Sequence, residues 1–176
     1  MKRITVLIAE DHTIVREGLR KMLNGEDDFK VVGEAQNGRL AVALAKKLRP
    51  EVVLMDMAMP FLNGLEATRQ VLKALPATKV LLLSAYSDDA YVGSAIKFGA
   101  MGFLQKTISA RELCRAIRKV SLGKTVFSPS IASHLERQKY PDCRGRLKSK
   151  DNELTSREME VLQLVAERRA NKEIAA

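Results

Sequence analysis

The chain has 176 residues, 46% hydrophobic and 29% charged, with a formal charge of +9 and two cysteines. That size supports one full core and a smaller appendage; no apolar run approaches the roughly 20 residues that span a bilayer, and the run Ile4 to Ala9 is too short for a signal sequence. A soluble, cytoplasmic protein without membrane contact is expected, Cys114 and Cys143 fit no metal-ligand spacing, and the basic balance fits nucleic acid as well as it fits solvated lysines.

Ile4 to Ala9 reads as a first apolar strand ending in Glu10, Asp11 and His12, after which Thr13 can cap a helix with apolar positions Ile14, Val15, Leu19, Met22 and Leu23. Val31 to Ala35 is a second, shorter strand, Asn37-Gly38 a turn, and Leu40, Ala41, Leu44, Ala45 and Leu48 a helix face that ends before Pro50. Val52 to Asp56 is an uninterrupted apolar run closing on an acid, the pattern of a strand buried on both faces of a parallel sheet. Gly64 to Leu75 makes a third helix with Leu65, Thr68, Val71 and Leu72 inward, stopped by Pro76. Lys79 to Leu83 is a fourth strand closing on Ser84, and Asp88 to Phe98 a fourth helix ended by Gly99. Gly102 to Leu104 is a fifth strand leading to Lys106, and Ser109 caps a last helix that turns Leu113, Ala116, Ile117 and Val120 inward. Five strands alternating with five helices predict an α/β fold, a five-stranded parallel sheet covered on both sides.

Residues 121–153 change character: Gly123, Pro129 and Pro141 interrupt them, and Arg137, Lys139, Arg144, Arg146, Lys148 and Lys150 make them basic. They read as a linker, with room for a short helix from Pro129 to Gln138. Beyond it, Thr155 and Glu158 have capping-box spacing, and Val161, Leu162, Leu164 and Val165 form an apolar face.

In a parallel sheet ligands bind outside the carboxyl ends of the strands. Four of the five strands end there in polar groups: Glu10 and Asp11, Asp56, Ser84, and Lys106 just past the fifth. Carboxylates gathered at one edge repel one another unless a cation sits among them, and hard oxygen ligands suit Mg²⁺. A carboxylate beside Mg²⁺, with an ammonium and a hydroxyl aimed at the same point, is a phosphoryl acceptor, and Asp56 is the expected nucleophile. Taken singly, each of these residues is an ordinary loop acid, strand end or surface charge; the combination is what points to chemistry. His12 beside two acids tempts one toward a metal ligand, but with no second histidine nearby it reads as a helix-start residue.

Residues 1–120 resemble the receiver domain of a bacterial two-component response regulator, with Glu10-Asp11, Asp56-x-x-Met59-Pro60, Gly64, Ser84 and Lys106 in the family's order and spacing. Residues 154–176, LTSREMEVLQLVAERRANKEIAA, resemble the start of a LuxR-type helix-turn-helix, so the whole is similar to the NarL/FixJ class of transcriptional regulators. The resemblance implies a flavodoxin-like fold with Asp56 as the phosphorylation site. Mg²⁺ would be held by Asp11, Asp56 and the main-chain carbonyl of Ala58, with Glu10 acting through a water; Ser84 and Lys106 would assist the transfer, and Ser84 and Phe103 would form the switch pair. It further implies a sensor histidine kinase as phosphoryl donor, a homodimer on phosphorylation, and DNA as target of a helix-turn-helix that is incomplete within these residues.

The chain departs from the family pattern at Thr107, where many receivers have proline, and at Phe103, where tyrosine is commoner, so the switch ring carries no hydroxyl. Two other functions compete. A receiver can act by protein contacts alone, and a small-molecule phosphohydrolase also uses an aspartate nucleophile, but Ala58 stands where the second, acid aspartate of such an enzyme belongs.

Overall fold

A computed structural model describes residues 3–85 and 89–127. The element order is β1 (Ile4–Ala9), α1 (Thr13–Asn24), β2 (Phe29–Ala35), α2 (Gly38–Leu48), β3 (Val52–Asp56), α3 (Gly64–Ala74), β4 (Lys79–Ser84), α4 (Asp89–Lys97), β5 (Gly102–Gln105), α5 (Ala110–Ser121) and β6 (Val126–Phe127). All strands are parallel, in the order β2-β1-β3-β4-β5-β6.

Strand alternation divides the core into two layers. Leu7, Ala9, Val53, Met55, Val80, Leu82 and Phe103 face α2, α3 and α4, while Val6, Ile8, Val52, Leu54, Leu81, Leu83 and Leu104 face Leu23 of α1 and the α5 residues Leu113, Ala116, Ile117 and Val120. Every residue of β3 is buried, as a central strand with helices on both sides requires. The order of strands reverses between β1 and β3, with α1 and α2 on opposite faces, and in open parallel sheets that reversal at the carboxyl edge is where ligands bind.

The structure corrects several expectations. The sheet has six strands rather than five: Val126 and Phe127 pair with Gly102 and Phe103, so the stretch read as linker from 121 begins inside the fold. Gly102 makes this pairing possible, since a Cβ there would lie 2.6 Å from the Val126 carbonyl oxygen. Strand β2 starts at Phe29, two residues earlier than the Val31 start expected. Thr13 is the first helical residue, not the cap; His12 occupies the cap position and its side chain makes no capping bond. On α1 only Leu19, Met22 and Leu23 join the core, while Ile14 is 86% exposed. Ile14 and Leu23 are nine residues apart, which at about 100° per residue places them on opposite sides of the helix. Asn37, read as a turn residue, caps α2 by accepting the Leu40 amide. The possible helix from Pro129 to Gln138 and the segment 154–176 lie outside the described residues.

Candidate functional site

The ends of β1, β3, β4 and β5 deliver the members of the site. Glu10 follows β1, its amide donating to the Ala35 carbonyl of β2 at 3.0 Å, and it is buried. Asp56 closes β3 and is 2% exposed. Ser84 closes β4, buried, and its carbonyl accepts the Lys106 amide at 2.7 Å. That bond carries the register of β4 and β5 past the strand end, and so fixes where the lysine starts.

The side chains converge. Lys106 Nζ lies 3.0 Å from Asp56 Oδ1, 2.8 Å from Glu10 Oε2 and 3.0 Å from Glu10 Oε1. Ligand atoms of Glu10, Asp11, His12 and Asp56 all lie within 4.8 Å of one another, an arrangement able to hold a metal ion. His12 is the member that sequence reasoning set aside. It begins the helix as expected, yet its Nδ1 sits 2.9 Å from Asp11 Oδ1 and 3.1 Å from Glu10 Oε1, and the bond to Glu10, together with the charge of Asp11, raises its pKa. The ring itself is largely exposed.

Electrostatics make the carboxylates uncomfortable. Burial pushes the Asp56 pKa up to about 6, against the lowering hydrogen bond from Lys106 and with a further rise from the Glu10 charge. Lys106 loses hydration by burial, but bonds to Glu10 and Asp56 outweigh this and its pKa is raised. One ammonium therefore faces two buried carboxylates and the half-buried Asp11. Asp56 Oδ2 is buried with no hydrogen-bond partner among the described residues, a costly state for a charged oxygen unless a further cation or donor meets it. The three carboxylates of the cluster are hard oxygen donors, and they fit a divalent cation such as Mg²⁺ better than a softer metal.

The loop after Asp56 is shaped by glycine and by one strained residue. A Cβ on Gly64 would fall 1.8 Å from the Asp56 carbonyl oxygen, so only glycine lets α3 start against the end of β3; the Gly64 amide donates to Met57 O at 2.9 Å. Asn63 caps α3 by accepting the Glu66 amide. Just before them Phe61 has φ +65°, with the Leu62 amide bonded to Pro60 O at 2.8 Å, a tight γ-turn around a left-handed residue. Ala58 is exposed, and its backbone acts on the Asp56 carboxylate to lower its pKa, against the larger rise from burial. Phe103 is 1% exposed and belongs to the layer that includes Ala95 of α4 and Ala100. Among the described residues no peptide bond is cis, in keeping with Thr107 after the lysine.

Comparison with known proteins places this geometry in context. The model of the response regulator receiver domain matches residues 6–118. Response regulator protein VraR of Staphylococcus aureus is 39% identical over 176 residues, covering 98% of this chain and 80% of the relative. Among solved structures, a LuxR-family two-component response regulator from Aurantimonas sp. SI85-9A1 superposes with a TM-score of 0.72 at 30% identity, over 78% of this chain and 99% of that one. The receiver domain of the response regulator NarL from Mycobacterium tuberculosis gives 0.67 at 33% identity, over 70% and 100%.

Proposed function

Since the chain belongs to the response regulator receiver family, acting in a two-component phosphorelay and in LuxR-type control of transcription, we propose that Asp56 is its phosphoryl acceptor. The observation that carries this is the convergence of Asp56, Glu10, Asp11 and Lys106 at one sheet edge, with an Asp56 oxygen buried and without a hydrogen-bond partner among the described residues. Asp56 attacks the phosphorus of a phosphohistidine on the sensor kinase; a P–O bond forms to the carboxylate, the P–N bond breaks, and the imidazole leaves as the proton-bearing group.

Lys106, already against Asp56, stabilises the charge on the transferred group, and Ser84 at the neighbouring strand end donates to a phosphoryl oxygen. Asp11, Asp56 and the Ala58 main-chain carbonyl would hold Mg²⁺, with Glu10 acting through a water. The ion supplies the charge neutralisation that three carboxylates and one ammonium lack. Residues 128–153 serve as linker and 154–176 as the opening of the helix-turn-helix, and the phosphorylated form pairs with a second copy.

Asp56→Asn tests the assignment, because an amide neither attacks phosphorus nor carries the charge that holds a cation. Radiolabelled acetyl phosphate should label the parent protein in Mg²⁺ and leave the variant blank. Undiminished Mg²⁺-dependent labelling of the variant would place the acceptor elsewhere.

A further inference from the structure

We propose that Arg16 is a positioning residue for the divalent-cation site, holding the backbone that carries Glu10 and Asp11 so that their carboxylates meet Asp56; this rests on the metal reading given above. Arg16 lies on the first turns of α1 and is 7% exposed, unusual burial for an arginine. Its Nη1 donates to the Glu10 carbonyl at 2.9 Å and to the Asp11 carbonyl at 3.3 Å, and its Nη2 to Thr13 Oγ1 at 3.4 Å. Its Nε lies 3.5 Å from Glu34 Oε2 on β2, and its amide donates to His12 O at 2.9 Å. One planar group thus ties together the end of β1, the start of α1 and the adjacent strand.

The acidic pair sits in the connection between β1 and α1, just past the last β1 ladder residue, Ala9. Strand pairing reaches Glu10 only through its amide. The carbonyls of residues 10 and 11 need donors from elsewhere, and their orientation sets the direction of the two side chains. One guanidinium nitrogen, Nη1, meets both carbonyls, and it is held there because Nη2 of the same rigid plane reaches Thr13 and Nε faces Glu34; a lysine carries the same charge but offers a single ammonium on a flexible stem, with nothing to fix it at both carbonyls. Residues that orient metal ligands in this way typically change affinity by about 10–100-fold when replaced. Arg20, which also reaches Glu34 at 3.3 Å, cannot substitute, since its bond is to the carboxylate and not to the loop.

The test is the affinity of the whole chain for Mn²⁺, measured by electron paramagnetic resonance, alongside the Tm in EDTA. Arg16→Lys should bind Mn²⁺ about 10-fold more weakly or worse, with most of its Tm in EDTA retained. Affinity equal to the parent's, with or without a lowered Tm, overturns the proposal, because a merely structural role moves Tm alone. If Arg16→Lys does not fold, Glu34→Gln takes its place: loss of the charge partner should weaken Mn²⁺ by about 3-fold, and unchanged affinity is again the refuting result. Asp11→Asn separates the two levels of the argument. A parent protein that binds no Mn²⁺, or one whose binding survives Asp11→Asn, removes the metal site itself and Arg16's role with it.

Discussion

Asp56 shows how a single residue can be held in a state that costs stability. Its folded pKa of about 6 lies above the ordinary 3.8, chiefly because burial disfavours the charged form. A raised acid binds a proton in the folded state that it would not bind unfolded. Its favourable contribution is therefore complete below pH 4 and is lost as pH rises through 6. In EDTA the protein should lose stability between pH 4 and pH 7 more steeply than Asp56→Asn does, and at pH 7.5 the variant should be the more stable by about 2 kcal/mol. Thermal melts of the two proteins across this range check it; parallel curves would show that Asp56 ionises without penalty. Added Mg²⁺ should shrink the gap, since only the aspartate gains from a cation.

Among the helices, α5 and α4 are built very differently. Ser109 and Glu112 cap α5 reciprocally, each side chain bonded to the other's backbone amide, and Arg118 ties the far end to Glu26 and Asp28 while lying 4.9 Å over the Phe29 ring. The Asp28 carboxyl is held below its usual range by that guanidinium. Both partners are well exposed, so the ion pair adds little; the buried face of Leu113, Ala116, Ile117 and Val120 does most to hold the helix. Helix α4 has nine residues with Gly93 inside it, at a cost of about 1 kcal/mol relative to alanine, and Ser94 next to it adds little helix propensity. Amide hydrogen exchange in residues 93–97 should accordingly be faster than in 113–120. Equal or slower exchange in α4 would mean that its packing on α3 and β5 compensates fully.

At the level of the whole molecule, the end of β3 that carries Asp56 and the layer under α4 are joined through two neighbouring strands, β4 and β5. Ser84 ends β4 beside β5, and Phe103 on β5 fills the layer shared with α4. A phosphoryl group on Asp56 that draws the Ser84 hydroxyl inward would free space for the ring, and without a hydroxyl Phe103 can respond only through packing. Phe103→Leu, a large-to-small change at a buried site that should cost roughly 1–2 kcal/mol of stability, is expected to keep acetyl-phosphate labelling while weakening phosphorylation-dependent dimerisation. Sedimentation velocity with and without acetyl phosphate measures this, and undiminished dimerisation of the variant would remove Phe103 from the switch.

The strands, the helices and the five polar residues at their ends were legible in the order of amino acids, because apolar periodicity and chain punctuation are local signals. Val52 to Asp56 is the clearest case: a run that must be buried on both sides can only be central, and the acid closing it can only lie at the sheet edge. Tertiary structure alone decided the rest. Val126 and Phe127 become a strand only because Gly102 leaves room beside it, and two residues carry no period. Ile14 matched a helical spacing yet points away from the core, since which arc of α1 is inward depends on where the sheet lies. His12 joined the acids, and Arg16, which looks in the sequence like a solvated helix charge, turned out to be buried beneath the loop it holds. Those placements depend on contacts between β1, α1 and β2, where backbone carbonyls and side chains from separate segments meet, and no local pattern in the chain records such a meeting.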